Sequence, residues 1–126
     1  MNPLTLEWVE KAEGDLLTAR REYRARKSPN FDAACFHAQQ AAEKYLKAFL
    51  QETGKPVPRI HSLLELLGLV SKQDSGFMSL QADLNVMEGY AVQFRYPGLS
   101  ANKAEAKAAL QAAERVCSYA RAKLGI

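Results

Sequence analysis

The chain has few of the residues that build metal sites and disulfide frameworks. Its 126 residues include only two cysteines and two histidines, and no group of them has the spacing of a zinc site. Cys35 and Cys117 each lie in an apolar helical pattern, far apart in sequence. This placement favours two buried free thiols over a disulfide and fits a reducing cytoplasm. No metal and no other cofactor is therefore expected.

Long apolar runs are absent as well. No stretch approaches the roughly 18 apolar residues of a membrane-spanning helix. The first segment, MNPLTLEWVEKAEGD, has neither a basic n-region nor an apolar h-region, so it is not expected to be a signal peptide. The sequence predicts a soluble, cytoplasmic protein with no membrane partner.

The composition itself is typical of one globular domain, which we expect to span residues 1–126. Hydrophobic residues make up 48% of the sequence and the net charge is +3. A chain of this size can bury a core without disulfides. The mild positive charge permits a polyanionic partner but does not require one.

Helix-forming residues dominate and alternating strand patterns are absent, which predicts an all-α fold. The expected helices are Leu4–Arg26, Pro29–Thr53, a short third helix from about Ser62, Phe77–Phe94 and Asn102–Leu124. Short connections predict that neighbours pack antiparallel, as a single-domain up-and-down bundle of about five helices.

Local signals set the expected helix ends. Ser28 is expected to cap the second helix with Pro29 in its first turn, and Gly54 to follow its last turn. The spacing of a capping box occurs at two later helix starts, Ser62 with Glu65 and Asn102 with Glu105.

Apolar stripes identify the expected core. On the first helix the stripe is Leu4, Trp8, Ala12, Leu16, Ala19 and Tyr23. On the second helix it is Phe31, Ala34, Ala38, Ala41, Tyr45 and Phe49. On the fourth helix it is Phe77, Leu80, Leu84, Met87 and either Ala91 or Val92. The alanines of the second helix predict a close approach of its neighbours.

A row of polar residues borders the stripe of the second helix. It consists of His37, Gln40, Lys44 and Lys47, three or four residues apart. One interpretation is a solvated flank in which Glu43 and Lys47 pair at i, i+4. The other is a polar pocket or an interface, because histidine and amide side chains beside a core are costly unless they meet a partner.

Two further segments contain candidate phosphate contacts. In VQFRYPG, Arg95 either complements a helix C-terminus or binds phosphate, and Tyr96 can stack on a base. In PRIHS, His61 is either a local contact at a helix cap or an imidazole near an anion site.

A basic segment, ARREYRARK, has the same two interpretations. Its five cations are either a solvated helix end or a phosphate-contacting patch: Arg20, Arg21, Arg24, Arg26 and Lys27. The chain has no Gly-rich phosphate loop, nucleophile elbow or metal-binding histidine pair. The residues alone therefore predict a helical bundle with a candidate polar site.

The order of segments resembles the HEPN domain family, the higher-eukaryote-and-prokaryote nucleotide-binding family. The resemblance rests on Trp8, GDLLTAR, ACFHAQQAAEKYLKAFL, HSLLELL, FRYPG and the alanine-rich final helix, and it covers nearly the whole chain. It implies a five-helix bundle that is usually a homodimer. Small members of the family often act with a minimal nucleotidyltransferase as a toxin–antitoxin-like pair.

The ribonuclease motif of that family is missing here. Many members are metal-independent ribonucleases in which a spacer of four to six residues separates an arginine from the histidine that follows it. The corresponding positions after Arg95 are 100–102, Ser-Ala-Asn, and no other arginine has a histidine at that spacing. The resemblance therefore favours a non-catalytic member.

The expected function is nucleotide or RNA phosphate binding, or docking of a nucleotidyltransferase, by a homodimer. Arg95 is expected to contact phosphate and Tyr96 to stack or to shape the loop. The remaining candidates for the groove are His37, Gln40, Lys44 and His61. Two alternatives stay open: a metal-independent ribonuclease that uses a displaced histidine, and a purely structural protein-interaction module.

Overall fold

The computed structural model describes residues 1–126 and contains helices only. Its α-helices are α1 (Pro3–Arg24), α2 (Phe31–Glu52), α3 (Leu63–Ser71), α4 (Gln81–Met87) and α5 (Lys103–Leu124), with two 3-10 helices at Ser75–Leu80 and Gln93–Arg95. The prediction of an all-α, single-domain fold with five helices is confirmed. None of the helices has the length and apolar content needed to cross a membrane.

Helices α1 and α2 are antiparallel, as predicted. The Thr5 hydroxyl donates to Glu52 at 2.9 Å near one end, and the Tyr23 and Phe31 rings lie 6.4 Å apart near the other. The predicted alanines of the α2 stripe, Ala34, Ala38 and Ala41, are fully buried, and so are Ala42 and Ala48, which allows this close approach.

The predicted stripe of α1 is wrong at its N-terminus, and the helix ends at Arg24 rather than Arg26. Leu4 is 52% exposed, whereas Thr5 and Val9 are buried. The bond to the end of α2 turns Thr5 inward, because its hydroxyl finds an acceptor there and so loses little on leaving water. Leu4 then faces solvent.

The second helix begins later than predicted. Asn30 is its N-cap and accepts the Ala33 N–H at 2.9 Å, so the assignment of Ser28 as the cap, with Pro29 in the first turn, is wrong. Ser28 has a φ of 48° and forms part of the turn from α1. Asparagine caps as well as serine, so Asn30 serves as the cap once the turn at Ser28 has ended. The predicted end is confirmed, with Gly54 at a φ of 74°.

Helices α2 and α3 run in the same direction, which departs from the expected antiparallel order. Residues 53–62 return along α2, and Gln39 donates to the backbone oxygen of His61 at 3.0 Å. Near the opposite end of α3, Leu69 lines the same groove as Leu50 of α2. The prediction of antiparallel neighbours fails here because this connection is long enough to retrace the helix.

The prediction of one fourth helix over Phe77–Phe94 is wrong. The segment begins within a 3-10 helix, continues as α4 to Met87, turns, and ends in a 3-10 helix that closes at Arg95. Of the two core candidates near its end, Ala91 is buried and Val92 is exposed.

Glu88 accounts for this break. Its carboxylate accepts the Ser62 hydroxyl at 2.7 Å and the backbone N–H groups of Leu63 at 2.9 Å and Leu64 at 3.3 Å. The first N–H groups of α3 have no partner within their own helix, so a carboxylate there is favourable. Gly89 follows at a φ of 87°, a conformation that glycine adopts without strain and that turns the chain away from α4.

Helix α5 follows its prediction closely. Asn102 accepts the Glu105 N–H at 2.8 Å, and Glu105 accepts the Asn102 N–H at 3.0 Å, which completes the predicted capping box. The helix packs against α2 and α4 with its alanine-rich face: Ala106, Ala109, Ala112, Ala113 and Ala120 are fully buried.

Both cysteines are buried and free, as predicted. Burial, with smaller contributions from Glu105 and Asp32, raises the pKa of the Cys35 thiol to about 12. Burial also raises the pKa of Cys117. Both thiols are therefore protonated at neutral pH and serve as small core residues.

Candidate functional site

A groove opens between the N-terminal half of α2 and the 3-10 helix that ends at Arg95. We call it the Arg95 groove. Its volume is about 430 Å³, and its lining residues are Asn30, Asp32, Ala33, Phe36, His37, Tyr90, Phe94 and Arg95. Two of the predicted site residues, His37 and Arg95, therefore share one groove.

The Arg95 guanidinium is oriented by an aromatic ring and is free of carboxylates. Its Cζ lies 5.3 Å from the centroid of the Phe36 ring, within the range of a cation–π contact. Arg95 forms no ion pair with any carboxylate of the chain. The charge and the forked N–H donors of this exposed side chain therefore remain available to an anion.

Aromatic rings line the groove beside this cation. The Tyr90 and Phe94 centroids are 5.1 Å apart, and the His37 ring meets Phe36 edge-on at 5.1 Å. Burial raises the pKa of the Tyr90 hydroxyl, so it is a neutral phenol at physiological pH. Such rings offer faces on which a nucleobase can stack.

His37 is held by Asp15 of α1. Its Nδ1 lies 2.8 Å from Asp15 Oδ1, and the second oxygen of Asp15 accepts a hydrogen bond from Lys44. A carboxylate only accepts, so Nδ1 carries a proton and Nε2 of the neutral ring is left as an acceptor. We call Asp15, His37 and Lys44 the Asp15 cluster.

A second carboxylate organises the rest of the polar row. Glu43 accepts hydrogen bonds from Lys47 at 3.0 Å and from Gln39 at 3.1 Å, and His61 Nδ1 lies 3.1 Å away. Gln40 donates to Gln39 at 2.7 Å. We call these five residues the Glu43 cluster. Lys47 and Glu43 are buried, so the interpretation of the whole row as a solvated flank is wrong, while the predicted pairing of the two is present.

The six predicted site residues thus do not form one site. His37 and Arg95 meet in the Arg95 groove, and Lys44 is joined to His37 through Asp15. Gln40 and His61 belong to the Glu43 cluster and line no part of the groove. Tyr96 is 65% exposed and also lies outside it. The ring positions next to Arg95 are taken by Phe36, Tyr90 and Phe94.

Sequence reasoning missed Asp15, although a signal for it exists. It lies three residues after Ala12 and four before Ala19, both in the buried stripe of α1. A carboxylate at the edge of such a stripe needs a partner. Its partners, His37 and Lys44, lie on α2. Which residues of α2 meet Asp15 depends on the register of the two antiparallel helices, which spacing within α1 does not reveal.

The segment that holds Arg95 is tied down at both ends. Glu88 binds the start of α3, as described above. At the other end, Asp32 of α2 accepts the Ala101 N–H at 2.6 Å. Arg95 thus lies on a stretch of chain that two carboxylates attach to neighbouring helices, which fixes its position over Phe36.

A second groove lies between α1 and α5, and its arginines, unlike Arg95, are paired with carboxylates. Its volume is about 480 Å³. Arg121 donates to Glu13 and to the Tyr45 hydroxyl at 3.0 Å each, and Arg20 lies 3.5 Å from Glu114. Burial and the hydrogen bond to Glu13 raise the pKa of Tyr45. Both arginines of this groove already have partners.

Neither groove gathers metal ligands. No group of three or more His, Cys, Asp or Glu side chains is placed to hold a metal ion. The Arg95 groove offers a free cation, aromatic faces and an imidazole acceptor. That set of groups suits an anion attached to a planar ring system.

Comparisons with known proteins agree with this architecture. The model of the HEPN domain family matches residues 5–123. The crystal structure of TT1696 from Thermus thermophilus is similar with a TM-score of 0.82 and 27% identity, over 98% of this chain and 99% of that one. The crystal structure of ST0689, an archaeal HEPN homologue, gives 0.75 and 23%, over 94% and 96%. No curated protein matches the chain.

Proposed function

The chain belongs to the HEPN domain family, and we propose that it binds the phosphate of a nucleotide or of RNA in the Arg95 groove. The observation behind this proposal is the unpaired guanidinium of Arg95 above the Phe36 ring. A guanidinium binds two phosphate oxygens through parallel N–H donors. The carboxylate that lines the groove, Asp32, accepts the Ala101 N–H and forms no ion pair with Arg95.

The other groups of the groove complete the ligand. A base stacks on the faces of Tyr90 and Phe94, which lie beside the cation. Nε2 of His37 accepts a hydrogen bond from a ribose hydroxyl, because Asp15 occupies Nδ1. A hydroxyl contact of this kind would favour RNA over DNA.

The proposal is tested by comparing the RNA affinity of two variants, each of which lacks one arginine. Arg95→Ala removes the phosphate contact, whereas Arg59→Ala removes another exposed arginine without an ion pair, near the Glu43 cluster. Binding of labelled RNA in EDTA is measured for both. Losing a charged, bidentate hydrogen bond should weaken the Arg95 variant by about tenfold or more, with Arg59→Ala near wild type. Equal affinities in both variants would refute the proposed site.

Pairing with a second copy of the chain is the proposed assembly. Val92, Tyr96 and Leu99 are 50%, 65% and 49% exposed on the segment around Arg95, and apolar side chains at such density favour an interface. The mass in solution of the wild type and of Val92→Ser/Leu99→Ser tests this. A dimer that the substitutions dissociate is expected. A monomeric wild type would instead leave the nucleotidyltransferase as the partner to examine.

A second candidate function is metal-independent RNA cleavage with a displaced histidine. The observation that favours it is that His37, held by Asp15, shares the groove with Arg95. In this reaction Nε2 takes the proton of a ribose 2′-hydroxyl, whose oxygen bonds to phosphorus. Arg95 stabilises the added negative charge, and the imidazolium protonates the departing 5′-oxygen.

The binding samples in EDTA also decide this question. A ribonuclease of this design cleaves RNA without metal, loses cleavage in His37→Ala and keeps it in His61→Ala, because His61 lies outside the groove. Intact RNA that is bound through Arg95 supports the non-catalytic function. Neither binding nor cleavage would point to a structural, protein-interaction module.

A further inference from the structure

We propose that the phosphate-binding surface continues from the Arg95 groove to the C-terminal end of α1, so that the ligand is a single-stranded polynucleotide rather than one nucleotide. The inference rests on the proposed function of Arg95. It adds a class of substrate and a second group of residues, Arg24, Arg26 and Lys27, which we call the basic end.

The cations of the basic end have no partners in the chain. Arg24, Arg26 and Lys27 are exposed, and none of them forms an ion pair. Arg20, one turn earlier on α1, differs because Glu114 lies 3.5 Å from it. Arg20 is therefore paired with a carboxylate, whereas the three unpaired cations of the basic end form a local positive field.

The basic end adjoins the Arg95 groove through a continuous surface. A smaller groove of about 350 Å³ is lined by residues 28–32 with Ser100 and Ala101. Asn30 and Asp32 line both this groove and the Arg95 groove. Lys27 directly precedes the lining residue Ser28. Residues 30–37 cover about 10 Å of α2 at 1.5 Å per residue, so a strand leaving the Arg95 groove reaches the basic end within a few nucleotides.

The carboxylates on this path are engaged by backbone groups. Asp32 accepts the Ala101 N–H at 2.6 Å, and Glu105 accepts the Asn102 N–H at 3.0 Å. Two further exposed cations, Lys103 and Lys107, begin α5 close to these residues and form no ion pairs. Five cations without ion pairs, Arg24, Arg26, Lys27, Lys103 and Lys107, therefore outnumber the two carboxylates, Asp32 and Glu105, along this path.

Single-stranded nucleic acid fits this surface better than other polyanions. Stacking on Tyr90 and Phe94 needs a base that is not paired in a duplex. An anionic membrane or an acidic peptide would use the basic end but would leave the aromatic groove unoccupied. A strand of nucleotides uses both, with phosphates on the cations and one base in the groove.

The test uses two variants, each with three cations neutralised, and measures the affinity of both for a short ligand and for a long one. One variant is Arg24→Gln/Arg26→Gln/Lys27→Gln. Its control, Lys55→Gln/Arg59→Gln/Lys72→Gln, removes three other exposed cations that form no ion pair, two in the connection between α2 and α3 and one directly after α3. Affinity is measured from low to high salt for AMP and for a labelled single-stranded RNA of about 12 nucleotides.

The basic-end variant should bind AMP like the wild type but lose affinity for the RNA. Its slope of log affinity against log salt should fall by about 2, since each lost single-strand phosphate contact contributes about 0.7. The control variant should keep the wild-type slope. An unchanged slope in the basic-end variant, or an equal fall in both variants, would overturn the inference.

Other variants and ligands separate this inference from the proposed function. Arg95→Ala that retains AMP affinity would refute the proposed site itself. Arg95→Ala that loses AMP binding, combined with a normal RNA slope in the basic-end variant, would refute only the extension. Vesicles of phosphatidylserine that bind wild type but not the basic-end variant, with RNA affinity equal in both, would assign the patch to a membrane surface and overturn the inference.

Discussion

The Asp15 and Glu43 clusters have nearly the same chemical composition and different surroundings. Each has one carboxylate that meets one lysine and Nδ1 of one histidine. In the Glu43 cluster the lysine is buried and two amides add hydrogen bonds. In the Asp15 cluster the histidine lines a groove beside a free arginine.

The difference shows that residue types alone do not identify a site. The Glu43 cluster pairs the buried Lys47 ammonium with a carboxylate and fastens the chain before α3 onto α2, where Gln39 donates to the backbone oxygen of His61. The Asp15 cluster instead holds His37 in a groove that also contains the Arg95 guanidinium, which forms no ion pair. An uncompensated group that is held in place, rather than a charged group as such, marks the candidate site.

The largest effect expected from this comparison is on stability. Glu43→Ala leaves the Lys47 ammonium buried and without a carboxylate partner, which should lower the unfolding free energy by about 3–5 kcal/mol. Asp15→Ala should cost about 1 kcal/mol, because the side chains of Lys44 and His37 are partly exposed and can turn to water. Urea denaturation of both variants measures the difference. Equal losses would show that the two clusters do not differ in structural role.

A smaller loss of stability is expected from a substitution in α2, the helix that contributes residues to both clusters. Ala41 of α2 is fully buried, so Ala41→Leu overpacks the contact of α2 with its neighbours and should cost about 1–3 kcal/mol. Ala104→Leu places the same side chain on the exposed surface of α5 and is the control. A wild-type denaturation midpoint for Ala41→Leu would reject the close approach at this position.

The smallest effect concerns a third carboxylate–lysine pair, which has no histidine and lies near the surface. The hydrogen bond from Lys123 at 2.8 Å, with one from the Gly76 N–H, lowers the pKa of Asp74 below its ordinary value of 3.8. The folded pKa is below the unfolded one, so the pair stabilises the protein above the unfolded value. That contribution is lost as the pH falls through the folded value.

Asp74→Asn should therefore reduce the fraction of stability that the protein loses below about pH 4. Urea midpoints at pH 6 and pH 3 measure this, with the wild type showing the steeper fall. Identical acid dependence in the variant and the wild type would contradict the assignment.

The parts of the fold that follow from neighbouring residues are predictable from the sequence. The capping box of Asn102 and Glu105 and the alanine face of α2 each depend on spacings within one helix. The break after Met87 is not predictable in this way. It depends on Glu88 reaching the start of α3, a contact between residues that are 24 to 26 positions apart.

The candidate site also combines features that neighbouring residues reveal with features that depend on contacts between distant residues. Arg95 stands out locally because it precedes a rigid turn, and His37 because it borders an apolar stripe. Asp15 and the aromatic lining of the groove come from other elements, and their registers set which side chains meet. Tyr96 adjoins Arg95 in sequence, yet the extended backbone after the 3-10 helix leaves it largely exposed.

The most direct test follows the two histidines of the chain by NMR during titration with the single-stranded RNA. Their imidazole nitrogen signals are assigned from the His61→Gln variant, since the sequence contains only two histidines. We expect that the His37 signals shift in a saturable way, that they do not shift in Arg95→Ala, and that the His61 signals stay in place. Shifts at His61 with His37 unmoved would contradict the assignment of the Arg95 groove as the ligand site.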